Sequence, residues 1–183
     1  MLISIVVIIL GSFMSDFLLS QLLVSITLAI ECYAMQLKNK NRILALLSIS
    51  CLFNGFHYLL LDQPTAGYIF LFSSIRFLIA IKWKFQWMAA ASLCVSLFIT
   101  IYSYIGFLSI LGFLATVFIT TGSFSNNDKF LRMMMIMGGT LWLVHNTILW
   151  SPVGILVETV FVGSSAIGYY RYYIAGKLKK PTP

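Results

Sequence analysis

Glu31, Arg76 and Glu158 stand inside long apolar runs, where a formal charge has no water to solvate it. Such a charge costs about 2.5–3.5 kcal/mol on insertion scales, so each needs a reason to be there. The two histidines, His57 and His145, stand in similar runs, and each is followed by six residues and then a proline, Pro64 and Pro152. A histidine beside a buried carboxylate can exchange protons near neutral pH, and a buried guanidinium can hold an anion or neutralise a carboxylate. Asn54 precedes His57 by about one helical turn, which puts both on one face. Trp142 precedes His145 in the same way, and Asn146 follows it directly. Asn54, His57, Trp142, His145, Asn146 and Glu158 are therefore candidates to line a central polar cavity open to the outside, with Arg76 deeper. The same groups can instead make interhelical hydrogen bonds that only hold a bundle together.

Positioning such groups takes elements that hide a great deal of apolar surface. Of the 183 residues, 60% are hydrophobic and 9% charged, against roughly 25% charged in a soluble domain. A water-soluble core of this length cannot bury that excess, whereas lipid accepts it. Backbone groups in hydrocarbon must bond internally, so the spans are helices or a barrel, and long apolar runs without period-two alternation exclude the barrel. The fold class is all-α, a polytopic membrane protein. The net charge of +7 has no soluble domain to form a basic patch, so nucleic acid is not a partner. Cys32, Cys51 and Cys94 all fall in apolar runs without a CxxC pair and read as small core residues.

Seven transmembrane helices separate at charged or turn-forming breaks, at about 16–37, 42–61, 65–83, 85–103, 105–124, 130–150 and 152–174. Residues 1–15 are an apolar extension without the basic start of a secretory signal, and a second start is conceivable at Met14. Eleven of the twelve lysines and arginines fall on one side of a seven-span bundle, in loops one, three and five and the C-terminal tail. The positive-inside rule places that side in the cytoplasm and the N-terminus outside. Lys177, Lys179 and Lys180 in the tail read as a stop-transfer flank at anionic headgroups. Trp83, Trp87, Trp150 and Tyr169, Tyr170, Tyr172 and Tyr173 read as interfacial anchors.

A shift of 88 residues lays His57 on His145 and Pro64 on Pro152, and brings the asparagine-rich basic loops at 38–41 and 126–129 into register. The chain then divides into the extension 1–15, a three-helix repeat at 16–83, a linker helix at 84–104, a second repeat at 105–174 and a basic tail at 175–183. A single linker span returns the chain to the starting side. The arrangement is therefore 3+1+3, two parallel three-helix-bundle repeats related about the membrane normal.

The polar residues inside these helices carry a resemblance. Gln21, His57 followed by Pro64, Ala66-Gly67 and Arg76, and His145-Asn146 followed by Glu158 make the chain resemble the YgjV-type bacterial inner-membrane proteins from about Phe17 to Tyr173. That resemblance implies the bacterial inner membrane as location and, more widely, a fold similar to the SWEET, PQ-loop and KDEL-receptor group. Such a fold-level analogy does not define a function.

Glu31 lies seven residues before Lys38 and Arg76 eleven after Thr65, so both fall in the inner half and are placed to form an ion pair. Separate snorkelling to the interface is the alternative. The reading that follows is a secondary transporter or facilitator of a small polar or anionic metabolite, with no cofactor and no catalytic residues. Its rival is a membrane receptor, sensor or assembly protein of the same fold. The last span lacks a lysine for a retinal Schiff base, no HExxH or phosphate-binding glycine loop occurs, and no spacing specifies a metal. The partners left are the lipid bilayer, a small solute and a second copy of the chain.

Overall fold

The computed structural model describes residues 2–175, with side chains from Ser15 onward, and the described residues are all-helical. The lysines of the tail and the side chains of the extension lie outside the described residues. Seven helices follow one another: α1 Leu2–Gln36, α2 Lys40–Leu60, α3 Pro64–Lys82, α4 Gln86–Tyr102, α5 Phe107–Phe124, α6 Asp128–Leu149 and α7 Pro152–Tyr169. A wider π-type segment, Tyr170–Ala175, continues from α7. Their bounds fall close to the expected spans, except that α1 begins well before residue 16.

Among the described residues, five segments are long and apolar enough to cross a membrane: Ser15–Gln36, Lys40–Leu60, Pro64–Lys82, Phe107–Phe124 and Pro152–Ala175. The apolar α4 has 17 residues. Arg132, His145 and Asn146 make α6 less apolar, yet it packs between α5 and α7 and so shares their depth.

Each helix packs chiefly on its chain neighbours, and two further contacts, α3 on α5 and α7 on α1, close a ring in the order α1, α2, α3, α5, α6, α7. Helix α4 stands outside the ring against α3 and α5. It buries a narrow stripe of small residues, Ala89, Ser92, Ser96 and Thr100, at helical spacing. The Ser96 and Thr100 hydroxyls donate back to carbonyls one turn earlier, which commits their protons within the helix.

The loop residues act as caps. Asn39 accepts from the Arg42 amide, and Asn127 accepts from the Lys129 and Phe130 amides, so each satisfies a free donor at a helix start. Pro64 and Pro152 occupy first turns, where a missing N–H is harmless. The turns before them bend through left-handed residues, Asp62 and Trp150, at φ 54° and 56°. Asparagine-like side chains tolerate that conformation; a tryptophan there is uncommon, and Trp150 projects outward at 84% exposure. Gly55 and Gly67 let α2 and α3 touch, since a Cβ on Gly67 would lie 3.1 Å from the Gly55 carbonyl. Of the three cysteines only Cys51 is in the core; Cys32 and Cys94 are exposed on the periphery of the bundle.

Candidate functional site

All six ring helices contribute to one cavity of about 30 Å³, room for one or two waters. Glu31 comes from α1, Cys51 from α2, Ser73 and Arg76 from α3, Thr116 from α5, Trp142 from α6 and Glu158 from α7. The three intramembrane charges that the sequence offers therefore meet in one place. The end of the ring at Lys40, Lys82 and Asp128 is called the basic end below, and the end at Pro64 and Pro152 the proline end. Arg76 rises from about 9 Å above the basic end of α3, and Glu158 lies about 9 Å below the proline end of α7, at 1.5 Å per residue.

The Glu31–Arg76 ion pair expected from the sequence is not formed. The Glu31 carboxylate accepts from the Ser50 hydroxyl and from the Asn54 amide at 3.2 Å, both on α2. The Arg76 guanidinium donates instead to the Thr120 hydroxyl on α5, and its Nε has no partner. Neighbouring α2 satisfies Glu31 on one side of the cavity and α5 satisfies Arg76 on the other, which keeps the two charges apart. Glu158, 6% exposed, makes no hydrogen bond among the described residues and lines the cavity.

Four residues expected to line the cavity do not. Asn54 holds Glu31 from behind. His57 is turned to α1 and to the start of α7, with Nδ1 2.9 Å from the Ser20 carbonyl and Nε2 3.5 Å from the Ser151 hydroxyl. Successive helical residues point about 100° apart, so it is Tyr58, one residue on, that faces the ring centre. Tyr58 donates to Asn146 at 3.1 Å, and His145 packs edge-on against Tyr58 and Trp142 at 5.4 and 5.0 Å. Phe70 completes the cluster, 4.6 Å from Trp142 and 5.2 Å from Tyr58. These buried rings fill the ring centre between the cavity and the proline end. The cavity therefore does not open there through a histidine-lined vestibule, as the sequence reading had it.

Lys40 and Arg132 flank loops in the sequence, yet both are buried, Arg132 to 1% exposure, which hydropathy alone does not reveal. Lys40 donates to the Ser125 carbonyl at the end of α5. Arg132 donates to the Leu37 carbonyl and, at 2.8 Å, to the Met35 carbonyl at the end of α1, and its guanidinium lies 5.4 Å from the Tyr172 ring centre. Arg171 and Tyr172 donate to the Gln36 carbonyl at 3.0 and 2.9 Å. Cations and hydroxyls thus take up the unpaired carbonyls of two helix C-termini. Helical register holds the signal: Arg132 lies on one face with Met135, Gly139 and Trp142, and Lys40 with Leu44, Leu47 and Cys51.

Seven helices, mostly apolar and enclosing a charged cavity, define a polytopic α-helical membrane protein. The Imp-YgjV model, described as a bacterial inner membrane protein, matches residues 18–175, and the chain belongs to this family of multi-pass membrane proteins. No curated protein and no solved structure matches, so the wider likeness to the SWEET group has no support from them.

Proposed function

We propose that the protein is a secondary carrier or facilitator of a small polar solute, not an enzyme, and that the solute site is the central cavity. The observation that carries this reading is the convergence of Glu31, Arg76 and Glu158, from both halves of the chain, on one buried cavity. Charges at membrane depth mark substrate or ion pathways in general. A bundle needing only structural clamps would pair them, and Glu158 has no partner.

The two-repeat architecture is part of the same proposal, and contacts between positions 88 apart support it. Tyr58 bonds Asn146, its own equivalent, which puts both near a two-fold axis. Gln21 accepts from the Val153 amide at 3.2 Å, and the equivalent Ser109 and Thr65 hydroxyls are 2.9 Å apart. At the basic end the carbonyls of Leu37 and Ser125, 88 apart, accept from Arg132 and Lys40, which are one helical turn out of register with each other. Asp62 and Trp150 share the left-handed conformation, and Asn39 and Asn127 share the cap. The basic end, on the positive-inside rule, is cytoplasmic.

The test is a thermal-stability screen of purified protein against a metabolite panel, with Glu158→Gln and Arg76→Gln alongside, followed by uptake into proteoliposomes. A solute that stabilises the wild type, fails on either variant and crosses the membrane supports a carrier. A cavity of only about 30 Å³ favours the second reading, a receptor, sensor or assembly protein. No stabilising solute and no flux, with both variants merely less stable, would put that reading first.

A further inference from the structure

The charge balance of the cavity narrows what it can hold. Ionised Glu31 and Glu158 bring two negative charges and Arg76 one positive, a sum of −1 in a space large enough for one or two waters. An excess charge enclosed away from water is strongly unfavourable unless a counter-charge joins it. An anion would double the excess. One small cation, or one proton on a carboxylate, cancels it.

The lining also suits a cation of a particular kind. Apart from the Arg76 guanidinium and the Trp142 indole, its polar groups are the two carboxylates, the Ser73 and Thr116 hydroxyls and the Cys51 thiol. Thr116 commits its proton to the Gly112 carbonyl at 2.9 Å, which leaves its oxygen free to face a cation. Hard oxygen donors suit hard cations better than soft transition metals, and the single excess charge selects a monovalent one. Among the described residues no three His, Cys, Asp or Glu side chains group as a metal site. Glu158 is more than nine-tenths buried, unpartnered and on the cavity wall, so it is the group left over for a ligand.

We infer that the cavity binds one small monovalent cation between Glu31 and Glu158, and that a proton on one of these carboxylates replaces it. This rests on reading the cavity as the solute site and makes the solute class a small cation exchanged for a proton. When the cation enters, one carboxylate releases its proton to solution; when the cation leaves, the proton returns, and the cavity is neutral in both states. Arg76 compensates the other carboxylate throughout and so limits occupancy to one.

Sodium and ammonium chloride are compared with choline chloride on the purified wild type at constant ionic strength, from mildly acid to mildly alkaline pH. Melting temperature and proton release into weakly buffered dye are read together. At alkaline pH, sodium or ammonium at a hundredfold excess over Kd raises the melting temperature by about 5–10 °C. The gain shrinks as pH falls, about one proton leaves per chain, and choline does neither. Glu158→Gln and Glu31→Gln each abolish the proton release; should one fail to fold, the other decides. Absence of any cation-specific shift or proton release in the wild type overturns the inference, as does an undiminished response in a folded variant. If another solute stabilises and crosses the membrane while sodium and ammonium do nothing, the inference fails and the carrier stands. Cation binding with proton release but no cation-driven proton movement in proteoliposomes keeps the site and removes the carrier.

Discussion

Replacing Arg132 with methionine keeps the length of the buried stem and removes the guanidinium, which isolates the link between α6 and the end of α1. The lost interactions are two charge-assisted bonds, to Met35 and Leu37, and the contact over the Tyr172 ring. Taking about 1.5 kcal/mol for each bond from the charged donor and about 0.5–1 kcal/mol for the ring contact gives a loss of roughly 3.5–4 kcal/mol. That is several hundredfold in the folding equilibrium. Interhelical bonds inside membranes average only about 0.6 kcal/mol, which pulls the figure down, while the two carbonyls left without donors push it up. Arg42→Met is the control: it removes a basic residue from the same end, but its side chain is exposed and unbonded, so the effect stays within about 0.5 kcal/mol. Reversible unfolding in mixed micelles, followed by tryptophan fluorescence as the fraction of denaturing detergent rises, reads both variants. Equal effects from the two would refute the latch and return Arg132 to the role of a topology signal.

Other positions give contrasts of the same kind. Gly138→Ala is expected to destabilise by about 1–3 kcal/mol, because a Cβ there would sit 2.5 Å from Ile119 Cγ1 and 3.0 Å from the Ala115 carbonyl. Gly163→Ala, with open space around its Cβ, is expected to be neutral or to stabilise by up to about 1 kcal/mol in the same titration. With Cys32 and Cys94 changed to serine, Cys51 on the cavity wall reports opening to a small membrane-impermeant thiol reagent. Tyr58→Phe, which breaks the bond to Asn146, is expected to speed that labelling about fivefold, for a bond of about 1 kcal/mol; an unchanged rate would mean that this bond does not hold the proline end shut. A C-terminal fluorescent-protein fusion is expected to glow and a C-terminal alkaline phosphatase fusion to be inactive, as a cytoplasmic C-terminus requires; the opposite pair of results would invert the bundle.

Much of the fold was legible because hydropathy and turn chemistry are local. The apolar runs and the breaks at Asn39, Gln63-Pro64, Asn127 and Ser151-Pro152 fix helix bounds with no knowledge of packing. Glu31, Arg76 and Glu158 were also legible as charges out of place. Which of them meet was not, because that depends on how far each helix is rotated about its axis. A 100° step decides that Tyr58 and not His57 reaches the ring centre. Depth alone put Glu31 beside Arg76, while Ser50, Asn54 and Thr120 satisfy the two charges separately. Arg132 and Lys40 show the same limit from the other direction, since a basic residue near a loop reads as solvated until a neighbouring helix end is seen to need a donor.

The two ends of the ring are closed at related positions by bonds of different strength. At the proline end the links are neutral: Tyr58 to Asn146, Thr65 with Ser109, the Val153 amide to Gln21, and a long contact between His57 and Ser151. At the basic end, Lys40 and Arg132 make charge-assisted links, and Arg171 and Tyr172 add further donors to the end of α1. Charge-assisted bonds are roughly twice as strong as neutral ones. If each triplet of helices moves as a unit, the links at one end break together, so modest differences per bond add into a directional preference. The proline end then opens with less work and the basic end stays latched. That bias suits a site that needs a cation or a proton to be neutral, as we infer, because either one arriving through the weaker end balances the charge before the stronger end has to give way.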